Sequence, residues 1–190
     1  MNDSWTYIWG SSQFFSSKAY KLLTGHTQVD PTFKRLWKTS CQSKHKVFFW
    51  LVMKDGISTR NMMRRRRMHL DDYNCVLCQQ QTEETLMHLL FYCNFVKNCW
   101  WALNYAYAGN LSIFHIVENW RNYMSAPFAL DIFILVCWSI WMVRNDVILK
   151  NKVASVDDCK RNLTAEALML LHRTKARITP LLESWIQSHL

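Results

Sequence analysis

The chain has 190 residues, half of them hydrophobic and 14% aromatic, which suffices for one sizeable core and is too short for a polymerase. Four Gly and three Pro argue against turn-dense sandwiches, Gly-rich phosphate loops and linker sequence, and leave a mostly helical protein as the default. The net charge of +9 is concentrated, because residues 32–70 carry eleven basic side chains against Asp55 alone. Such a local surplus fits a polyanion-binding surface or a solvated face.

The start, Met1-Asn2-Asp3-Ser4, is polar and is followed by no apolar targeting stretch, so the expected location is the nucleus or cytoplasm. Trp5, Tyr7 and Trp9 alternate with Thr6 and Ile8 before Gly10, the period-2 pattern of a strand running into a turn. This predicts a short N-terminal β-hairpin-like segment. Ser16 or Ser17 then caps a helix with an apolar stripe of Ala19, Tyr20, Leu22 and Leu23, ended by Gly25.

Asp30-Pro31 breaks the pattern. A basic, aromatic-rich helical stretch follows from Phe33 to Lys54, interrupted near Ser40–Ser43, with Phe33, Leu36, Trp37, Val47, Phe48, Trp50 and Leu51 as expected core residues. Gly56 ends it. Ser58 or Thr59 caps a second helix, Arg60–His69, with Met62 and Met63 inward and four consecutive arginines on its outer turns. Four adjacent like charges repel one another, and such a run is either solvated or the seat of an anionic partner. The nucleic-acid contacts expected from this region are Lys34, Arg35, Lys38, Lys44, Lys46, Arg60, Arg64, Arg65, Arg66 and Arg67.

The most informative segment is Tyr73–Trp101. Cys75, Cys78, His88 and Cys93 are spaced C-x2-C-x9-H-x4-C. The first pair forms a tight turn that faces two thiolates to one ion, and the second pair comes from a later helix, so the loop closes on the metal. Three soft sulfurs and one imidazole select tetrahedral zinc over an iron–sulfur cluster, and four protein ligands make the ion structural. Thr82 is the expected helix cap, with Glu83 and Glu84 in the first turn. Five residues turn an ideal helix by about 500°, so the helix carrying His88 must loosen or end near Tyr92 for Cys93 to reach the same ion. The alternatives are a packed core of the same residues and a set in which Cys99 replaces His88. Cys41, Cys137 and Cys159 read as small buried hydrophobes, and the six other histidines stand apart from any ligand cluster.

Beyond residue 105 the chain reads as helices. Ile113, Ile116, Val117 and Trp120 suit one, Ile132–Leu149 a long buried one, and Ser155 with Asp158 opens a third carrying Cys159, Leu163, Ala167 and Leu170. Pro180 limits that helix or starts a last one. The apolar run from Phe128 to Val143 contains Asp131 and is below the ~20 residues that span a bilayer, so no membrane partner is expected.

The chain resembles the zinc-binding domain that follows the reverse transcriptase domain of plant non-LTR (LINE-type) retrotransposons. The resemblance runs through residues 5–9, Phe15–Tyr20, Leu36-Trp37, Lys44–Leu51, Thr59-Arg60, Cys75–Cys78, Glu84–Leu89 and Cys93–Trp100, and again at Trp138–Asp146. It implies a detached zinc-stabilised accessory module that handles nucleic acid. No aromatic-x-Asp-Asp polymerase signature is present, since His69 stands two places before Asp71-Asp72, and neither a ribonuclease H nor an endonuclease set is found.

The expectation is therefore a mainly α protein, with a zinc-binding domain at 1–105 and a helical C-terminal bundle at 106–190. It binds one structural Zn2+ and nucleic acid, RNA or DNA, without enzymatic activity or a small-molecule substrate. The alternatives are a protein-interaction scaffold, self-association through the C-terminal helices, and an accessory subunit acting in trans with a reverse transcriptase.

Overall fold

The structure is a computed structural model and describes residues 6–25, 30–107, 109 and 111–190. Its helices are α1 (Ser16–Thr24), α2 (Pro31–Lys38), α3 (Ser43–Met53), α4 (Arg60–Arg65), a π-helical turn at His88–Tyr92, α5 (Asn94–Trp101), α6 (Ile113–Met124), α7 (Ala129–Lys150), α8 (Val156–Leu171) and α9 (Thr179–His189). No strand occurs among the described residues, and the one β-type pairing is an isolated antiparallel bridge between Asn74 and Glu83.

The expected N-terminal hairpin-like strand is thus corrected. Tyr7–Gly10 is a turn, closed by the Gly10 N–H donating to the Tyr7 carbonyl at 2.8 Å, and the Tyr7 and Trp9 rings stack with centroids 4.7 Å apart. Alternating aromatics share a side in this turn as they would on a strand, so the pattern did not discriminate between the two. Trp5 lies outside the described residues. The Ser16 or Ser17 cap is also corrected, since Phe15 occupies that position and no side chain caps α1.

The remaining helix boundaries follow local chemistry. Pro31 opens α2, where its missing N–H is no loss, and Asp30 caps it by accepting the Thr32 N–H at 2.7 Å. Thr59 caps α4 through the Met62 N–H, Ser112 caps α6, and Ser155 caps α8. Asn151, in the left-handed conformation, ends α7. Helix α4 stops at Arg65, earlier than expected, and Arg67 has a φ of +59°. Met62 and Met63 are only half-buried, so the inward methionines are corrected as well.

Helix α7 is the axis of the core, with α3, α6 and α8 packed around it. It is long and apolar enough, by length and composition, to cross a membrane; in this fold its Leu130–Cys137 run is buried by the other helices. Phe133 on α7 meets Phe49 of α3, Phe91 of the π-helical turn, Trp100 of α5 and Trp120 of α6 at centroid distances of 5.1–6.1 Å. The two buried indoles are hydrogen-bonded, Trp100 to the Leu90 carbonyl at 2.9 Å and Trp120 to the Ala129 carbonyl at 2.7 Å. Tyr105 and Tyr107, on either side of the anticipated boundary, both pack on Trp100. Residues before and after that point belong to one continuous core.

Candidate metal centre and basic surface

The segment between α4 and α5 is a compact knuckle made by backbone pairing. The Cys75 N–H donates to the Thr82 carbonyl at 2.8 Å and the Glu84 N–H to the Tyr73 carbonyl at 2.9 Å, bringing Tyr73–Cys75 alongside Thr82–Glu84. The Cys75–Cys78 turn forms its tip. Thr85, rather than the expected Thr82, caps the following turn, its Oγ1 accepting the His88 N–H at 3.1 Å. The helical path then widens: the Cys93 N–H donates to the His88 carbonyl at 2.8 Å, a five-residue loop, and Cys93 adopts an extended conformation at the start of α5. This is the loosening near Tyr92 that the H-x4-C spacing demands.

These turns gather the Sγ atoms of Cys75, Cys78 and Cys93 and an imidazole nitrogen of His88 to within 4.8 Å of one another. Cys75 and Cys93 sulfurs are 4.0 Å apart and Cys78 Sγ lies 3.3 Å from His88 Nε2. Zinc bound at about 2.3 Å to sulfur and about 2.0 Å to nitrogen has tetrahedral edges of roughly 3.8 Å and 3.5 Å, so the donor set fits that ion in size as well as softness. Cys75, His88 and Cys93 are buried and Cys78 is partly exposed.

Backbone donors also point at the sulfurs. The N–H groups of Leu77, Gln80 and Val96 hydrogen-bond to Cys75, Cys78 and Cys93 respectively, each favouring the thiolate. A hydrogen bond from Cys75 holds the Cys93 thiol far below its ordinary value, down to about 4, while the same bond pushes Cys75 up. Burial pushes Cys78 up. Cys99 lies elsewhere: it hydrogen-bonds with Cys159 beside a small cavity between α5 and α8, and that bond and burial raise its pKa. His88, not Cys99, completes the cluster.

Residues 14–100 match the family described as zinc-binding in reverse transcriptase. No curated protein and no solved structure matches the chain. The matched stretch runs from α1 into α5 and includes all four donors, so the family match and the cluster geometry both point to a metal ion, zinc by the chemistry of the donors.

One residue of the matched stretch has a role that its sequence did not disclose. Glu84 is fully buried and meets the buried Arg144 of α7 at 2.7 Å (Nη2 to Oε1) and 3.3 Å (Nε to Oε2). Glu84 Oε1 also accepts the Arg60 N–H at 3.0 Å, and the Arg144 guanidinium lies over the Trp141 ring at 4.8 Å. This one carboxylate ties the knuckle, the start of α4 and α7 together. Its partner stands sixty residues away, and only the Arg144 in the Trp138–Asp146 resemblance hinted at it.

The expected nucleic-acid contacts divide into three groups. Arg35, Lys44, Arg60, Arg64 and Arg65 each face a carboxylate of the chain itself: Glu118 at 2.9 Å, Glu166 at 2.7 Å, Asp72 at 3.3 Å, Glu83 at 3.4 Å and Asp55 at 2.5 Å. Among the described residues Lys46 donates to the Trp37 carbonyl alone, at 3.3 Å. Lys34, Lys38, Arg66 and Arg67 have no partner among the described residues. Of the expected core residues on α2 and α3, Leu36 and Phe48 are buried, but Trp37, Val47 and Trp50 are exposed, and Phe49 and Val52 take the inward positions. Helix α3 is apolar nearly all round, so its inward face could not be read from periodicity.

Proposed function

We propose that the chain is a non-enzymatic, zinc-stapled module that binds nucleic acid through its basic surface with little base specificity. The observation that carries this reading is a group of cations without a partner among the described residues: Lys34, Lys38, Arg66 and Arg67 sit within the matched segment and have no described carboxylate to leave before meeting a phosphate. The five paired cations would have to exchange partners and contribute less. Zinc, held by Cys75, Cys78, His88 and Cys93, supplies rigidity; four protein donors leave it no open position for chemistry. The reading extends to an origin in a plant non-LTR retrotransposon and to action in the nucleus or cytoplasm.

The test is fluorescence anisotropy with labelled RNA and DNA across a salt series, alongside metal content by mass spectrometry. Four phosphate contacts predict that log affinity for duplex DNA falls with log salt at a slope of about −3.6. One zinc per chain with binding of that slope supports the module; a flat salt dependence overturns it.

A second reading, a protein-interaction scaffold or a subunit acting in trans with a reverse transcriptase, draws on α1, whose Leu22 and Leu23 are exposed. A defined protein partner whose binding survives Arg66→Gln with Arg67→Gln would favour it.

A further inference from the structure

Helices α2 and α3 contain no Asp or Glu, and between them carry Lys34, Arg35, Lys38, Lys44 and Lys46, with Lys54 just beyond. Arg35 and Lys44 turn to carboxylates on α6 and α8. The other four pair with no carboxylate among the described residues: Lys54 lies over the Phe33 ring at 4.9 Å, Lys46 reaches the Trp37 carbonyl, and Lys34 and Lys38 have no partner there. Those contacts also run the two helices antiparallel, since Phe33 at the start of α2 meets the end of α3 and Trp37 near its end meets Lys46 near the start of α3.

Among these lysines stand three apolar side chains that the core leaves out. Trp37 is 54% exposed, Val47 49% and Trp50 39%, while Leu36 and Phe49 beside them are fully buried. On α2, Lys34, Trp37 and Lys38 fall at i, i+3 and i+4; on α3, Lys46 and Trp50 fall at i and i+4 with Val47 beside them, so each helix presents indole and ammonium groups on one face. Neither Trp37 nor Trp50 has an aromatic neighbour among the described residues to cover its ring. The acidic groups nearby are already engaged, Glu118 and Glu166 with Arg35 and Lys44, Asp30 with the α2 cap and Asp55 with Arg65, and exposed indoles set among the remaining cations match the flat π-face and regular phosphates of an unpaired polynucleotide. In a duplex the bases are stacked on one another and offer no free face.

We propose that the outer face of α2 and α3 is a stacking platform for single-stranded nucleic acid, with Trp37 and Trp50 receiving bases and Lys34, Lys38 and Lys46 receiving phosphates. This rests on the nucleic-acid-binding reading above and gives it a substrate class. Both indoles lie on the surface, so their removal leaves the core and the metal cluster in place, unlike any change at Phe49 or Cys93.

The experiment uses the full chain with its metal and labelled single-stranded RNA, single-stranded DNA and duplex DNA of one sequence, each titrated at several salt concentrations. Trp37→Ala and Trp50→Ala are each expected to weaken single-strand binding about 5- to 150-fold, to change duplex binding less than about twofold, and to leave the salt slope unaltered. Lys34→Ala and Lys38→Ala are expected to reduce the single-strand slope by about 0.7 each and to weaken duplex binding as well. Trp→Phe at either position restores most of the affinity. A larger loss on RNA than on DNA identifies the preferred strand. Equal loss on single strands and duplex, or no loss in either Trp variant, overturns the platform while leaving nucleic-acid binding intact. Failure of the unaltered chain to bind any of the three overturns the underlying reading. Concentration-dependent self-association that Trp37→Ala or Trp50→Ala abolishes would assign the face to a second copy of the chain and overturn the platform.

Discussion

The knuckle at residues 73–93 and the helices α6 to α9 solve the same problem by different means. The helices bury apolar faces against one another: α7 alone places Ile132, Phe133, Ile134, Leu135 and Cys137 at or near zero exposure. The knuckle has one bridge, two tight turns and a π-helical turn, with little regular structure to bury. Its C-terminal half reaches the shared core through Leu89, Leu90 and Phe91, while its tip at Cys75–Cys78 is tied down by the four converging donor atoms. Where a polar turn such as 78–83 has little apolar surface of its own, a coordination site can supply the constraint that packing supplies elsewhere.

The largest effect expected from breaking that contrast is at the metal. A structural zinc site is worth on the order of 10 kcal/mol in small finger peptides, so Cys75→Ser is expected to abolish stoichiometric zinc and to unfold the knuckle. Hydrogen exchange should show amides of 73–93 losing protection well before those of α7 and α8. An unchanged melting curve and metal content would place the knuckle's stability elsewhere.

The second test addresses the tie between the regions. Arg144→Met leaves Glu84 as a buried charge without its partner and is expected to cost about 3–5 kcal/mol in denaturant unfolding. Adding Glu84→Gln should recover part of that loss; equal stability of the single and double variants would show that the pair couples nothing.

A smaller, pH-dependent effect belongs to the helical side. His45 is buried beside Trp138, with Lys44, Glu166 and Arg173 around it, and burial lowers its pKa below the usual 6.5. The folded state therefore binds the proton less well than the unfolded chain. The stabilisation is fully present above pH 6.5 and is lost as pH falls toward the lowered value. His45→Phe should flatten this acid-side slope, by at most about 1.4 kcal/mol at pH 5.5, when melting is followed from pH 7.5 downward. The smallest effect is expected at Thr59→Ala, which removes the α4 cap and should cost about 1 kcal/mol.

Much of this was legible in the chain before any coordinates. The buried stripe Ile113, Ile116, Val117 and Trp120, the Ser155 cap, and the break between α2 and α3 follow from local periodicity and capping chemistry. The cluster of Cys75, Cys78, His88 and Cys93 was readable because ligand spacing is itself a local property. What escaped was non-local or degenerate. The Glu84–Arg144 pair joins positions with no sequence relation, the outward face of α3 is hidden by apolar residues on all sides, and the Tyr7 and Trp9 alternation suits a turn as well as a strand.

The sixty residues between Glu84 and Arg144 have a consequence in time. At roughly 5–20 residues per second, ribosomal synthesis delivers the arginine about 3–12 s after the glutamate. Cys75 and Cys78 are already made when that interval begins, and His88 and Cys93 follow within the next nine residues, so all four donors precede the arginine by about fifty residues. Only when α7 emerges does the carboxylate lose its water to a guanidinium. The order of synthesis thus makes all four donors available before the partner that closes Glu84 off from water, and the burial of Glu84 has to wait for α7.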